Sequence, residues 1–415
     1  MGIGAIFESM MRLGLAIIVV TVASGALTAQ ERAPRRPRLP AGADSSDPLA
    51  NYRYAISVID VDPQAADAAL YWALRLSPSW AEALYARRIA VLRSNERRML
   101  RYMRGDRGAA RELRWVDSLL YRSRLLDPFI YQDLDRGFLQ HYLRTLVTED
   151  LQRSGYTPAN TAGLSSEIDI FVDRQLSSEA SVGLRAWMAF SNRELQTAAD
   201  LYRSVVGKKA NPEGREDRAT VFYLAQRYDS AAAELEKAIN EFAARDRKQE
   251  IALYRPKALL YYKLGLARAK ENILDAAKTA FAKALEEDLA FYPAHITLAH
   301  IALTAGDTAT AVQELELAVQ LGPNEAMPYM RFAELLIHVG RGEQAIAPLR
   351  KVIEREPYYA HPRLRLAQVL DRQGDKTGAL EQYTAFLRAT TRGDLSRGEV
   401  QERIKALGGG SPDTP

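Results

Sequence analysis

The residues whose types and spacing best suit chemistry are the arginines between Arg87 and Arg124. Twelve of them stand there against four acids, Glu96, Asp106, Glu112 and Asp117. Arg97, Arg101, Arg104, Arg107, Arg111 and Arg114 recur at steps of three or four, the spacing that puts side chains on one helix face. Gly105 and Gly108 interrupt the run. With Tyr102, Trp115 and Tyr121 interleaved, such a face suits phosphate groups, lipid headgroups or an acidic protein. A solvated face in an arginine-rich chain accounts for the same residues.

Catalytic and metal chemistry have little to work with. The chain has no cysteine, which excludes disulfides, thiol nucleophiles, cysteine-ligated metals and a lipidated N-terminal cysteine. Its five histidines form no HExxH pair, and neither a glycine-rich phosphate loop nor a GxSxG elbow occurs. His141, Glu149 and Asp150 are the conventional acid–base residues that lie close together in residues 129–178, and surface placement explains them equally well. The expectation is a non-enzyme without cofactor or resident metal, with 129–178 as the alternative seat of an active site.

These groups must be positioned by a chain of 415 residues, longer than a single domain of about 100–200. Hydrophobic residues make up 47% and charged residues 26%, ordinary for a folded protein. A net charge of +4 permits contact with an anionic surface without requiring it, and nucleic acid is not an expected partner.

From Leu13 to Ala29 the chain carries no charge, with Arg12 before it and small residues at Ser24-Gly25-Ala26 and at Ala29. That is the order of a secretory signal: basic start, apolar centre, small residues at the cut. An uncleaved membrane anchor is the alternative, and Arg32, Arg35, Arg36 and Arg38 at its exit would favour a cytoplasmic C-terminal side. The signal reading places the protein in the periplasm or cell envelope. Residues 30–46, rich in Pro and Arg, read as an extended linker.

The C-terminal half repeats at a step of 34 residues, with copies beginning at Ala258, Tyr292, Ala326 and Ala360. Position seven reads Leu264, Leu298, Phe332, Leu366, and position eight Gly265, Ala299, Ala333, Ala367. Position fifteen reads Asn272, Gly306, Gly340, Gly374. Position twenty is alanine throughout (Ala277, Ala311, Ala345, Ala379), and position twenty-four is Phe281, Leu315, Leu349, Tyr383. Small residues at eight and twenty let two helices approach closely. Glycine at fifteen suits the left-handed end of the first helix. Pro323 and Pro357 at thirty-two cannot continue the second.

Leu264-Gly265, Ala277 with Phe281 and the two prolines make the pattern resemble the tetratricopeptide repeat family. The departures are Tyr261, His295, Tyr329 and Arg363 where the family has Trp, and Leu289 and Thr391 where it has Pro. The resemblance implies an all-α, right-handed α-solenoid of stacked helix-turn-helix repeats that binds proteins. The phase divides the chain into a divergent helical region at 47–178, degenerate repeats at 179–257 and four clear repeats at 258–393. A capping helix at 394–407, with Leu395, Val400, Ile404 and Leu407 inward, precedes a disordered tail at 408–415. A single pair cannot bury enough apolar surface to stand alone, so the array is the folding unit.

The resemblance also implies that positions two, five, nine, twelve and thirteen of each first helix line a concave groove for a peptide or partner helix. Tyr262, Lys270, His300, Met330, Glu334, His338, His361, Gln368 and Arg372 fall there. Relatives that grip acidic chaperone tails have Lys at five and Asn at nine. Here those positions hold Tyr262 and Leu266, Ile296 and His300, Met330 and Glu334, and Leu364 and Gln368, so that role is not expected.

Overall fold

The computed structural model describes residues 33–410, save 104–105, 132, 156, 158–163, 165, 169, 171–181, 208–209 and 248–256. The apolar segment 13–29 and the last five residues, 411–415, lie outside the described residues. Every regular element among those described is a helix. In chain order, α1 (Pro48–Val58) and α2 (Pro63–Leu76) come first, followed by α3 (Ala81–Ser94), α4 (Glu96–Met103), α5 (Arg107–Leu126) and α6 (Asp135–Arg153). Then come α7 (Val182–Ser191) and α8 (Leu195–Val206), α9 (Pro212–Leu224) and α10 (Tyr228–Asp246), and α11 (Ala258–Lys270) and α12 (Leu274–Glu287). The last are α13 (Tyr292–Thr304) and α14 (Thr308–Leu321), α15 (Ala326–His338) and α16 (Gly342–Arg355), α17 (His361–Arg372) and α18 (Lys376–Ala389), and α19 (Ser396–Ala406).

From α7 onward, each odd helix packs on the next to make a pair. Pairs stack through α8 on α9 and α10 on α11, and again through α14 on α15 and α16 on α17. The protein is an α-solenoid of helix-turn-helix repeats. Its described residues form two compact units, one from Arg88–Glu287 and the other from Gln30–Arg87 together with Asp288–Pro415. The division falls inside the run of four phased copies, where the sequence shows no break in period.

The turn inside each pair is the same. Position fifteen has a positive φ in six consecutive copies: Arg193 (64°), Gln226 (59°), Asn272 (63°), Gly306 (81°), Gly340 (78°) and Gly374 (83°). In the copy at Gly340, its N–H donates to the Ile337 carbonyl at 3.2 Å and the Arg341 N–H to the Leu336 carbonyl at 2.7 Å. Equivalent pairs of bonds close the other five turns, satisfying carbonyls that a helix end leaves without partners. Asp307 and Asp375, one residue on, then cap the second helix by accepting from the Thr310 and Gly378 N–H groups at 3.0 and 2.9 Å.

Close approach follows from the small residues. The four alanines at position twenty are wholly buried. At position eight, a Cβ on Gly265 would lie 2.4 Å from the Phe281 ring, so the placement of that ring leaves no room for a side chain on its partner. In the pair α9–α10, charge adds to packing. Glu234 accepts from Arg215 and Arg218, both at 3.0 Å, while Glu241 accepts from Arg215 Nε at 2.6 Å.

Upstream, the helix expected to break at 105–108 also breaks at Asn95, whose side chain donates to the Val91 carbonyl at 2.9 Å. Residues 33–46 carry no helix but are tied down within their unit. The Trp72 indole donates to the Pro34 carbonyl at 3.1 Å, and the Arg36 guanidinium lies 4.3 Å from the Trp72 ring. Asp44 accepts from the Arg392 N–H at 2.8 Å. Trp72 meets Tyr358 edge-on at 5.1 Å, and Arg75 pairs with Glu356 at 2.8 Å. In the capping helix, Val400 and Ile404 are buried as expected, but Leu395 is 98% exposed. Leu395 precedes the first helical residue, Ser396, and so lies off the inward stripe.

A left-handed backbone costs an L-residue roughly 1–2 kcal/mol relative to glycine. Gln226→Gly is therefore expected to raise the urea midpoint. Gly340→Ala, where a Cβ would meet nothing within 4 Å, is expected to lower that midpoint through backbone strain alone, with a loss of about 1 kcal/mol in unfolding free energy.

Candidate inner faces of the two units

In the unit that contains α13 to α19, residues from successive first helices meet on one face. His361, at the start of α17, lies with its Nε2 3.9 Å from Glu334 on α15. Arg365 Nε donates to His361 Nε2 at 3.3 Å, and Arg365 Nη1 donates to Gln368 at 3.2 Å. Arg331 holds the other oxygen of Glu334 at 3.1 Å. Burial first, and the neighbouring Arg365 charge second, push the His361 pKa down, which keeps the ring neutral and able to accept that bond at pH 7. Tyr359, packed beside it at 6.2 Å between rings, is pushed up by burial and by Glu334.

Of the sequence-predicted groove residues, Glu334, His361 and Gln368 are thus brought together. His300, His338 and Arg372 are exposed at helix C-terminal turns and make no side-chain bond to the described residues. Met330 does not line a surface. It is 7% exposed in the core with Leu364 and Leu366, because position five points into the joint between successive pairs. Tyr262 is equally buried against Phe281, at 5.6 Å between rings, whereas Lys270 is exposed. No group of three metal-capable side chains occurs among the described residues.

The unit built from Arg88–Glu287 differs, because its own chain covers its first helices. The connection between α5 and α6 lays Phe129 flat on Tyr223 of α9, with centroids 3.6 Å apart and planes 5° from parallel. Lys263 of α11 sits with its Nζ 5.4 Å from the Phe129 ring centroid. Tyr131 donates its hydroxyl to the Phe190 carbonyl of α7 and packs on that ring at 5.0 Å. Phe190 and Tyr223 both stand at position twelve of their copies. No local signal in the sequence links residue 129 to residue 223.

Beneath this layer, Lys263 is 3% exposed and bonds Glu216 at 2.8 Å. A pair so desolvated tolerates loss of neither partner. Burial pushes the adjacent Asp217 carboxyl up to about 7, with Glu216 adding like-charge repulsion against the opposing charges of Lys263 and Arg124.

Of the arginine face, Arg97, Arg101 and Arg111 are exposed, and Arg101 lies 3.7 Å from Asp106. Arg104 and the side chains of Arg107 and Arg114 fall outside the described residues, as does that of Asp150. Asp106 caps α5, accepting from the Gly108 and Ala109 N–H groups at 2.7 and 3.1 Å. His141 pairs with Glu96 at 2.9 Å, and Thr145 donates to the same oxygen at 2.8 Å.

No family model and no curated protein matches the sequence. Solved structures of tetratricopeptide repeat proteins do resemble the fold. The C-terminal part of a TPR repeat-containing protein from Cytophaga hutchinsonii shares 16% identity over 54% of this chain and 82% of its own, with a TM-score of 0.42. YrrB, a TPR protein with an unusual peptide-binding site, is 18% identical over 50% of this chain and 100% of its own, at 0.37. Yeast Tom70 is 15% identical over 87% of this chain and 89% of its own, at 0.42.

A carboxyl with a raised folded pKa keeps its proton after the unfolded chain has released its own. Asp217 should therefore make stability fall as pH rises from about 4 to about 7 and level off above. Asp217→Asn is expected to remove that slope, with urea unfolding showing a gain at pH 8 and little change near pH 4.

Proposed function

We propose that the protein is a non-catalytic scaffold of the bacterial cell envelope that holds a peptide or partner helix on the inner face of α13, α15 and α17. The observation that carries this reading is the meeting of Glu334, His361, Arg365 and Gln368 from two successive first helices. Charged and ring side chains on one face, backed by a closed helical core, suit recognition of an extended segment or an amphipathic helix. Export rests on the uncharged stretch Leu13–Ala29. A photoreactive residue at His338, in the full chain expressed in its host, should give discrete cross-linked products in the envelope fraction. The same probe at Glu354, whose side chain is 67% exposed on α16, should give none. Equal labelling from both positions would overturn the groove, and products confined to the cytoplasm would overturn the compartment.

A second reading concerns the arginine face. Arg97, Arg101 and Arg111 are exposed, as is Trp115 at 39%, and exposed guanidinium and indole groups suit anionic headgroups or polyanions. Charge reversal of all three to Glu is expected to abolish salt-sensitive retention on heparin and on vesicles containing anionic lipid. Retention that persists would remove this reading. The alternative of an active site in 129–178 would rest on His141, which pairs with Glu96.

A further inference from the structure

The five residues Asp127-Pro128-Phe129-Ile130-Tyr131, which connect α5 to α6, lay their aromatic rings on the first helices of the unit, with Phe129 part of its hydrophobic core. They make a self-contained turn: the Asp127 carboxylate accepts from the Phe129 N–H at 3.0 Å, and the Asp127 carbonyl accepts from the Ile130 N–H at 3.2 Å. The turn delivers one aromatic ring to each of two successive first helices. Phe129, 2% exposed, is stacked on Tyr223 with the Lys263 ammonium near its ring. Tyr131 lies on Phe190, its hydroxyl engaged by the Phe190 carbonyl and its ring 4.8 Å from the Arg193 guanidinium. Each seat therefore offers an aromatic face and a cation, a pairing that favours aromatic side chains over aliphatic ones. Phe190 and Tyr223 hold the same position in consecutive copies, so the two aromatic faces stand at the repeat spacing, although Phe129 is stacked flat on its partner and Tyr131 meets its own edge-on.

From this we infer that the inner face of α7, α9 and α11 is a recognition site for an Asp-Pro turn followed by two aromatic residues separated by one other. Residues 127–131 are its resident occupant, and a partner segment of that chemistry competes with them. The inference extends the scaffold reading to the second unit but uses none of the residues on α15 or α17, so the two stand or fall separately.

Tethering gives the internal segment an effective concentration in the millimolar range, so an external peptide meets a mostly filled site. The test uses a fluorescein-labelled peptide of the sequence of residues 124–134, titrated by anisotropy into the full chain. A Phe129→Ala/Tyr131→Ala variant, with both seats emptied, is expected to bind it at least about tenfold more tightly than the unaltered chain. Adding Tyr223→Ala should abolish binding, as should alanine at both aromatic positions of the peptide. Circular dichroism of the double variant should keep the helical signal of the unaltered chain. Equal binding to both chains, or none to a folded double variant, overturns the inference. Loss of the helical signal in the double variant also overturns it, since the segment would then be part of the folding core. Cross-linking from His338 is unaffected by any of these outcomes, which keeps a failure here distinct from a failure of the groove on α15 and α17.

Discussion

The residue at position fifteen sits where one helix must stop and the chain must reverse within two or three residues. It can do so only with a left-handed backbone, because that geometry alone brings two N–H groups back onto the last free carbonyls of the first helix. Once these bonds form, the second helix leaves at a fixed angle and the small residues at positions eight and twenty come face to face. Pair packing, pair stacking and the row of first helices that makes an inner face all descend from this turn. Where Asn272, Gln226 and Arg193 replace glycine, the turn is unchanged. The packing of the pair outweighs the backbone strain, as it must when each copy depends on its neighbours.

This explains what could be read in the sequence and what could not. Gly306, Gly340 and Gly374 announce their turns because glycine is favoured where φ is positive. Gln226 and Arg193 announce nothing by type, and only the step from their alanines locates them. The alanines at position twenty were legible as contacts, since a small residue repeated in phase has few other uses. The placement of the candidate face residues was legible only in part. Glu334, His361 and Gln368 lie together, whereas Met330 and Tyr262, drawn from the same pattern, are buried. Leu395 has a simpler explanation, as it stands immediately before the first helical residue, Ser396, and so outside the helix's stripe. Phe129 on Tyr223 and Trp72 on Tyr358 were beyond reach, since both are contacts of distant segments without periodicity.

The two inner faces carry different electrostatics for the same reason that they differ in occupancy. Around α9 and α11, charges are buried and matched: Lys263 with Glu216, and Arg215 and Arg218 with Glu234. Buried pairs of this kind contribute little net stability against an apolar alternative but penalise any arrangement that separates them. They hold the register of α9 against its neighbours. Around α15 and α17, the charges are half-exposed and their bonds local, as with Arg331 to Glu334 and Arg365 to Gln368. Such groups give up their contacts at small cost when another acceptor or donor arrives.

Arg36, Asp44 and Trp72 hold the beginning of the described chain to Tyr358 and Arg392, near its end. A ribosome adding about 5–20 residues per second needs roughly 15–60 s to travel from Trp72 to Tyr358. For that interval, the first helix pair has α3 beside it, through Arg87 on Asp67 and Tyr71, but lacks its contacts with the last repeats, while the residues of Arg88–Glu287 emerge with every contact of their own unit available. The middle of the chain can settle first, and the beginning remains open until the last repeats arrive to close it.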